Sequence, residues 1–292
     1  MATGTSGVAE LEKTLLSGRN SDGGWGYYRG KASRLEPTCW GLLALHAARA
    51  VGGEAAVLRN WPTADNILLE RAGGQTNFGF HGVALLSLRA LRIDHVTGTP
   101  NLVAALQRVK GMALKPSTIN RQDNTLQAWS WVPETFSWVE PTACCLLALK
   151  KWRDQPGVAI DNERIAIAER LLIDRACNDG GWNYGNSNML GQLLTPYVPT
   201  TALALMSLRD RRTDPVVRRG HEYLLAHATT EPSGLSLALA LLALMSYGSV
   251  VEPVRAVLAE QIPTTLALGN QLAIALSLLA LRLEPHDAAA IL

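Results

Sequence analysis

The sequence Leu-Leu-Ala-Leu at residues 42–45 is the first of six near-copies of one apolar phrase, Leu-Leu/Met-Ala/Ser-Leu, along the 292-residue chain. The other five copies span residues 85–88, 146–149, 205–208, 241–244 and 278–281. An internal repeat of this size usually indicates a repeat architecture, in which each unit buries its apolar face against its neighbours. Because the copies run from one end of the chain to the other, we predict a single domain over residues 1–292.

Each phrase lies in an apolar stretch of about ten residues or more, which is long enough for a buried helix rather than a strand. A more amphipathic helical segment precedes each stretch, and four of these segments begin with proline, a residue suited to the first position of a helix. The predicted amphipathic helices span residues 8–17, 62–71, 100–111, 162–173, 215–228 and 253–261.

The pairing of an amphipathic with an apolar helix predicts an all-α fold of six helical hairpins. A helix that is apolar nearly all round must be buried on most sides, so the six apolar helices form an inner ring and the amphipathic helices lie outside it. The six repeats cover about residues 8–50, 61–93, 99–152, 161–210, 214–247 and 252–283.

Composition excludes several classes of protein. Lys and Arg number 27 against 25 Asp and Glu, so no global field attracts nucleic acid. No apolar run reaches the roughly 18 residues that span a bilayer, and residues 1–7 contain no apolar signal segment. The four cysteines are too scattered for a disulfide framework, so we expect a cytoplasmic protein.

Three links into the apolar helices are long: residues 18–36, 113–140 and 176–198. Loops longer than about 12–15 residues in a compact domain tend to be functional or disordered, and the many aromatic residues in these loops argue against disorder. Aromatic faces stabilise cations and contact apolar chains. The candidate ligand-binding aromatics in these loops are Tyr27, Trp129, Trp131, Phe136, Trp138, Tyr184 and Tyr197.

Two of the long loops share Asp-Gly-Gly-Trp, at residues 22–25 and 179–182, and three apolar helices begin with Pro-Thr, at residues 37–38, 141–142 and 199–200. Together with the six Leu-rich helices, these features resemble the α/α-toroid superfamily of squalene–hopene and other terpenoid cyclases. The β subunits of protein prenyltransferases belong to the same superfamily. The resemblance implies an apolar central cavity and an isoprenoid ligand, and it assigns the tryptophans of the two shared motifs to packing between hairpins.

The catalytic signatures of that superfamily are absent from this chain. No Asp-x-Asp-Asp acid and no Asp-Asp-x-x-Asp magnesium motif occurs, and the prenyltransferase zinc triad cannot be assembled. We therefore predict no cofactor, and no motif supports zinc or magnesium. Cys39 and Cys144, in the first turns of apolar helices, are weak metal candidates, and His81 opens another apolar helix as a candidate ligand-binding residue. The alternative for the cysteines is a packing role, since free cysteine is usually buried.

Glu36 and Glu140 are the candidate catalytic residues. Each precedes Pro-Thr at the start of an apolar helix, so both are expected to lie at the mouth of the ring. A carboxyl group in an apolar funnel has a raised pKa and can act as a general acid. The alternative is that each acid only complements the dipole at the helix N-terminus, and the fourth hairpin has Val198 at the same position.

Three functions are compatible with these features. The first is a cyclase or transferase that acts on an isoprenoid, and the second is a non-catalytic protein that binds an isoprenoid or other lipid chain in the cavity. The third is a protein-interaction module that uses the aromatic loops, with the chain as one half of a heterodimer. The sequence favours an isoprenoid-related role and leaves catalysis undecided.

Overall fold

The computed structural model describes residues 2–48, 56–116 and 122–292. Helices dominate this part of the chain, and its strands form two very short hairpins, so the all-α prediction is confirmed. The end of the first predicted repeat, residues 49–50, and residues 117–121 of the second long loop lie outside the described residues.

The described ranges contain α-helices of 4 to 16 residues, strands of 2 residues, and 3-10 turns at Arg209–Arg211 and Ala228–Thr230. The helices are α1 (Ala2–Ser17), α2 (Leu35–Ala47), α3 (Ala56–Arg59), α4 (Phe78–Leu91), α5 (Thr99–Arg108), α6 (Val139–Trp152), α7 (Asn162–Asp174), α8 (Val198–Ser207), α9 (Pro215–His227), α10 (Gly234–Tyr247), α11 (Glu252–Glu260), α12 (Ile262–Leu268), α13 (Gln271–Arg282) and α14 (Pro285–Ile291). The strands are β1 (Thr63–Ala64), β2 (Ile67–Leu68), β3 (Asn188–Met189) and β4 (Gln192–Leu193).

The Leu-rich phrases lie in or at the end of six helices that are buried along most of their length, and we call these the inner helices. They are α2, α4, α6, α8, α10 and α13. Each inner helix packs against the next one in chain order, and α13 packs against α2, so that the contacts close on themselves. The apolar character of these helices on all sides follows from this arrangement, because each has two inner neighbours and an outer layer to cover it.

Five amphipathic helices lie outside the inner set, and four of them pack against the inner helix that precedes them in the chain. Thus α5 packs on α4, α7 on α6, α9 on α8 and α11 on α10. The first helix, α1, has no predecessor and packs on α13, the last inner helix. These helices bury a single face; in α9, for example, Val217, Gly220 and Leu224 are buried.

The prediction of a helix over residues 62–71 is wrong. Strands β1 and β2 pair there as a hairpin, with Thr63 opposite Leu68 and Ala64 opposite Ile67. The two residues between the strands, Asp65 and Asn66, have φ of 51° and 62°, and positive φ at both central positions is the geometry of a type I′ turn. A two-residue Asp-Asn turn between short strands therefore overrides the weak helical pattern.

The inner helices have their first residues at one end of the structure and their last residues at the other. The long loops enter at the N-terminal end, where the first turns of the inner helices surround one cavity. At the C-terminal end α14 packs against α10 and α4, and it buries Ala288. Among the helices of the described ranges, none has the length and apolar character needed to span a membrane.

Candidate functional site

Three tryptophans fix the long loops by one shared pattern of hydrogen bonds. In each case the indole N–H donates to a carbonyl two residues before the end of an outer helix, and the backbone N–H donates to a threonine hydroxyl in the first turn of an inner helix. The tryptophans are Trp25, Trp129 and Trp182, the carbonyls belong to Leu15, Leu106 and Leu172, and the hydroxyls belong to Thr38, Thr142 and Thr201.

All three indoles are fully buried between an outer and an inner helix. Trp129 is one of the aromatic residues that the sequence suggests for ligand binding. It instead packs between helices, as do the tryptophans of the two Asp-Gly-Gly-Trp loops. The guanidinium of Arg164 covers its ring, 4.4 Å from the centroid. We call a tryptophan that makes this pair of hydrogen bonds a tryptophan anchor. The second long loop thus contains a third anchor, which lacks the two glycines that precede the other two tryptophans.

A central cavity of about 110 Å³ lies at the N-terminal end, between all six inner helices. Four inner helices contribute their second and sixth residues, which share one face because they are four residues apart. These residues are Glu36 and Trp40, Glu140 and Cys144, Leu235 and Leu239, and Leu272 and Leu276. Both candidate catalytic acids therefore lie in the same cavity, as their matching positions before Pro-Thr predict.

Glu36 is held in the cavity by an aromatic partner from the first long loop. The Tyr27 hydroxyl donates a hydrogen bond to Glu36 Oε2 at 2.6 Å. Burial raises the pKa of Glu36 to about 8, the Tyr27 hydrogen bond opposes this rise, and the nearby Glu140 adds to it. Burial also raises the pKa of Tyr27, so the phenol keeps its proton. Glu36 is therefore a carboxylic acid that retains its proton near pH 7.

Glu140 has a different environment in the same cavity. Burial alone raises the pKa of its carboxyl group to about 7, and no hydrogen bond joins that group to another side chain in the described ranges. In the described ranges, neither carboxyl group accepts a hydrogen bond from a backbone N–H of its own helix, and the one side-chain bond is that from Tyr27 to Glu36. The carboxyl groups thus face the cavity rather than the helix ends.

Aromatic and aliphatic side chains form the rest of the cavity wall. Trp131 of the second long loop packs edge-on against Phe80, with ring centroids 5.9 Å apart, and both line the cavity with Trp40. Cys144 also contributes to the lining, and burial raises the pKa of its thiol, so it is a neutral, weakly polar surface. The cavity is therefore apolar apart from two carboxyl groups whose pKa values are raised by burial.

His81 and Cys39 lie away from the cavity. His81 is fully buried; its Nδ1 accepts a hydrogen bond from the Leu68 N–H at 2.9 Å, so its Nε2 carries the proton and donates to the Leu102 carbonyl at 3.2 Å. Burial lowers the pKa of His81 to about 4, so it is neutral. The residue attaches the β1–β2 hairpin to α4. Cys39 is fully buried as well, and burial raises the pKa of its thiol.

The remaining aromatic candidates form two pairs outside the cavity. Phe136 and Trp138 lie with ring centroids 4.4 Å apart, and Tyr184 and Tyr197 with centroids 5.5 Å apart. Both tyrosines are about half exposed, and neither pair lines the central cavity. Across residues 2–48, 56–116 and 122–292, no three His, Cys, Asp or Glu side chains come close enough to hold a metal ion.

The sequence does not predict the apolar residues of the cavity. These are Phe80, Val83 and five leucines, which line the cavity together with Glu36 and Glu140. A signal for them is present. Glu36 and Trp40 are the second and sixth residues of α2, and the residues at the same two positions of α6, α10 and α13 also line the cavity. An alignment of the first residues of the inner helices therefore identifies most of the lining.

Comparisons with known proteins add the fold but no activity. No protein-family model matches this chain, and no curated protein matches it. A solved crystal structure of a protein from Actinoplanes is similar over 96% of this chain and 98% of that one, with a TM-score of 0.64 and 15% sequence identity. At this identity the likeness concerns the fold alone.

Proposed function

We propose that this chain is an α/α toroid of the class found in terpenoid cyclases and prenyltransferase β subunits. The closed circuit of contacts among the six inner helices supports this assignment, as does the packing of outer helices against them. The β1–β2 hairpin takes the place of the second outer helix, so the toroid has five complete helical hairpins and one modified unit.

We further propose that the central cavity binds the end of an isoprenoid or another apolar chain. The observation that carries this proposal is a single cavity to which all six inner helices contribute, lined by aromatic and aliphatic side chains. An engineered apolar cavity of about 150 Å³ holds one benzene molecule. A cavity of about 110 Å³ therefore suits a branched group of about five carbons, and the rest of a longer chain would extend through the mouth.

Glu36 is the proposed proton donor to such a ligand. A protonated carboxyl group beside an alkene can transfer its proton to carbon, and the resulting cation is stabilised by aromatic faces. Trp40, Phe80 and Trp131 supply those faces. The Tyr27 hydroxyl, which bonds Glu36 Oε2, would stabilise the carboxylate left behind. The cation then returns a proton from a carbon next to its charged centre to the Glu36 carboxylate, which restores both the alkene and the carboxylic acid.

Binding is tested by titration of isoprenol, a five-carbon alcohol, and geraniol, a ten-carbon one, observed by ligand-detected NMR. The variant Leu203→Phe enlarges a side chain of the cavity wall, and Leu225→Phe makes the same change at an exposed site on α9. We expect both alcohols to bind, Leu203→Phe to abolish binding and Leu225→Phe to leave it intact. Equal affinities in the two variants would refute the cavity as the site.

Protonation is tested separately by incubation of the bound alcohol in deuterated water, with the Glu36→Gln variant as the control. Deuterium at the vinylic carbons in the unmodified protein, and none in Glu36→Gln, would support the acid role. Equal incorporation in both would exclude Glu36 as the donor, while the binding proposal would stand on the titration alone.

A second function is favoured by a different observation, the exposed apolar tip of the β3–β4 hairpin. Met189, Leu190 and Leu193 are 48%, 77% and 57% exposed, and the Tyr184–Tyr197 pair belongs to the same loop. Apolar groups exposed together often form protein-binding surfaces. Under this proposal the loop binds a protein partner, and Leu190→Asp would abolish co-purification of that partner without change in isoprenol binding.

A further inference from the structure

A second cavity, of about 510 Å³, lies at the C-terminal end of the inner helices, opposite the carboxyl groups. Residues at the ends of α2, α4 and α6 form its wall, with α14 on the other side. The lining includes the cations Arg89, Arg92 and Lys151 and the carboxylate of Asp287, and the imidazole of His46 lies beside them. The lining therefore has three cationic side chains and one carboxylate.

Two details describe the surroundings of these cations. Arg89 has a buried Nε atom with no hydrogen-bond partner in the described part of the chain. Burial, together with the charges of Arg209 and Arg89, lowers the pKa of Lys151 to about 8. Cationic groups that are partly desolvated and lie among like charges are stabilised when an anion binds beside them.

The neighbouring Lys150 makes its contacts outside this cavity. Its ammonium group pairs with Glu169 at 2.7 Å, pairs with Asp210, and donates to the Ser207 carbonyl at 2.9 Å. It thereby joins three elements. Lys151, one residue later, lines the cavity with Arg89. Arg89 lies in the last turn of α4 and Lys151 in the last turn of α6, so the helix dipoles account for part of this positive charge.

We propose that this C-terminal cavity binds a small molecule that carries a phosphate or diphosphate group. The geometry points to phosphate rather than to a single carboxylate, because the cationic side chains of the lining outnumber its one carboxylate. A phosphate monoester carries nearly two negative charges at pH 7, and guanidinium groups bind phosphate oxygens in a bidentate manner. The site is concave and large enough to enclose the group. This proposal is independent of the proposed function, since the two cavities lie at opposite ends.

The test is isothermal titration of the full chain with inorganic pyrophosphate in about 0.15 M NaCl, an ionic strength at which exposed charges are screened within about 8 Å. We expect saturable binding of one pyrophosphate per chain. Arg89→Gln is expected to weaken it by roughly tenfold or more, the typical effect of losing one charge-assisted hydrogen bond. The control, Arg108→Gln, removes an exposed arginine from the end of α5, away from the cavity, and leaves binding unchanged.

Two further variants keep the test decisive if Arg89→Gln does not fold. Arg92 has a left-handed backbone with φ of 55°, where glycine is favoured, so Arg92→Gly removes a cation without strain. It is expected to weaken binding, whereas Asp287→Asn removes the opposing carboxylate and is expected to tighten it. No saturable binding, or an equal loss in Arg108→Gln, would overturn the proposal, as would an unchanged affinity in both Arg92→Gly and Asp287→Asn.

Discussion

The protonation state of Glu36 is the result of several competing effects on its pKa. Its place in the first turn of α2 favours the charged form through the helix dipole, and the Tyr27 hydroxyl at 2.6 Å acts in the same direction. Burial against the aromatic wall outweighs both, and the charge of Glu140 adds to the effect of burial. The cavity therefore contains a neutral acid beside apolar surface, which is the state that proton donation requires.

The raised pKa of Glu36 predicts a particular dependence of stability on pH. The folded chain holds this proton up to about pH 8, whereas the unfolded chain releases it near the ordinary value of 4.5. Stability from this group is therefore present at low pH and is lost as pH rises from about 4.5 to 8.

The variant Glu36→Gln cannot ionise at this position. We therefore expect it to lose less stability than the unmodified protein when the pH rises from 5 to 9, a range that includes the Glu36 pKa of about 8. Glu140→Gln should show the same effect ending near pH 7, since burial raises the pKa of Glu140 to about that value. Thermal unfolding at several pH values in this range measures both. Parallel curves for the variant and the unmodified protein would show that Glu36 ionises normally.

Among the helices and loops, the tryptophan anchor explains why long loops are held in one position. Each anchor bonds a carbonyl near the end of an outer helix and a hydroxyl in the inner helix that follows, so it joins these two consecutive helices. The glycines before Trp25 and Trp182 mark two anchors in the sequence. The anchor at Trp129 follows Gln127 and Ala128 and can be recognised only from its hydrogen bonds.

The neighbouring residues Trp129 and Trp131 provide a matched comparison. Trp129→Phe removes the indole hydrogen bond to the buried Leu106 carbonyl and leaves a smaller ring beneath Arg164, so it should cost about 1–3 kcal/mol of unfolding free energy. Trp131→Phe removes part of the cavity wall, so it should change ligand binding more than stability. Chemical denaturation and the isoprenol titration separate the two effects. The proposed division of roles fails if Trp131→Phe is the more destabilising change.

The elements differ in how well a sequence can predict them. Helices α5, α7, α9 and α11 begin within one residue of their predicted starts, because proline or a capping residue marks each start. The β1–β2 hairpin escapes prediction because residues 63–68 are too few for a clear period. The volume of the central cavity cannot be predicted, since it depends on how six helices pack.

Across the full set of inner helices, the two ends are built differently. The N-terminal end has the carboxyl groups and the aromatic loops, and the C-terminal end has the cation-lined cavity and α14. A long apolar chain cannot pass between these ends as they stand, because the central cavity is small and aliphatic side chains fill the space between the inner helices beyond it.

Removal of residues 285–292 tests the contribution of α14. This helix packs against α10 and α4, and both Ala288 within it and Leu292 after it are buried. Burial of one leucine side chain contributes roughly 1.5–3 kcal/mol, so the truncated chain should unfold at a distinctly lower denaturant concentration. It should also lose pyrophosphate binding while retaining isoprenol binding. Unchanged stability would show that α14 does not support the inner helices.

The contact between α13 and α2 has a consequence for the order of folding. Consecutive inner helices associate through contacts that are closer in sequence, but α13 contacts α2 across more than two hundred intervening residues. The Gln271 N–H donates to the Tyr27 carbonyl at 2.8 Å, and Arg282 pairs with Glu12 at 2.9 Å across this junction. Closure of a long loop is entropically expensive and slow. We therefore expect the junction between the last and first repeats to form last during refolding and to exchange its amide hydrogens first.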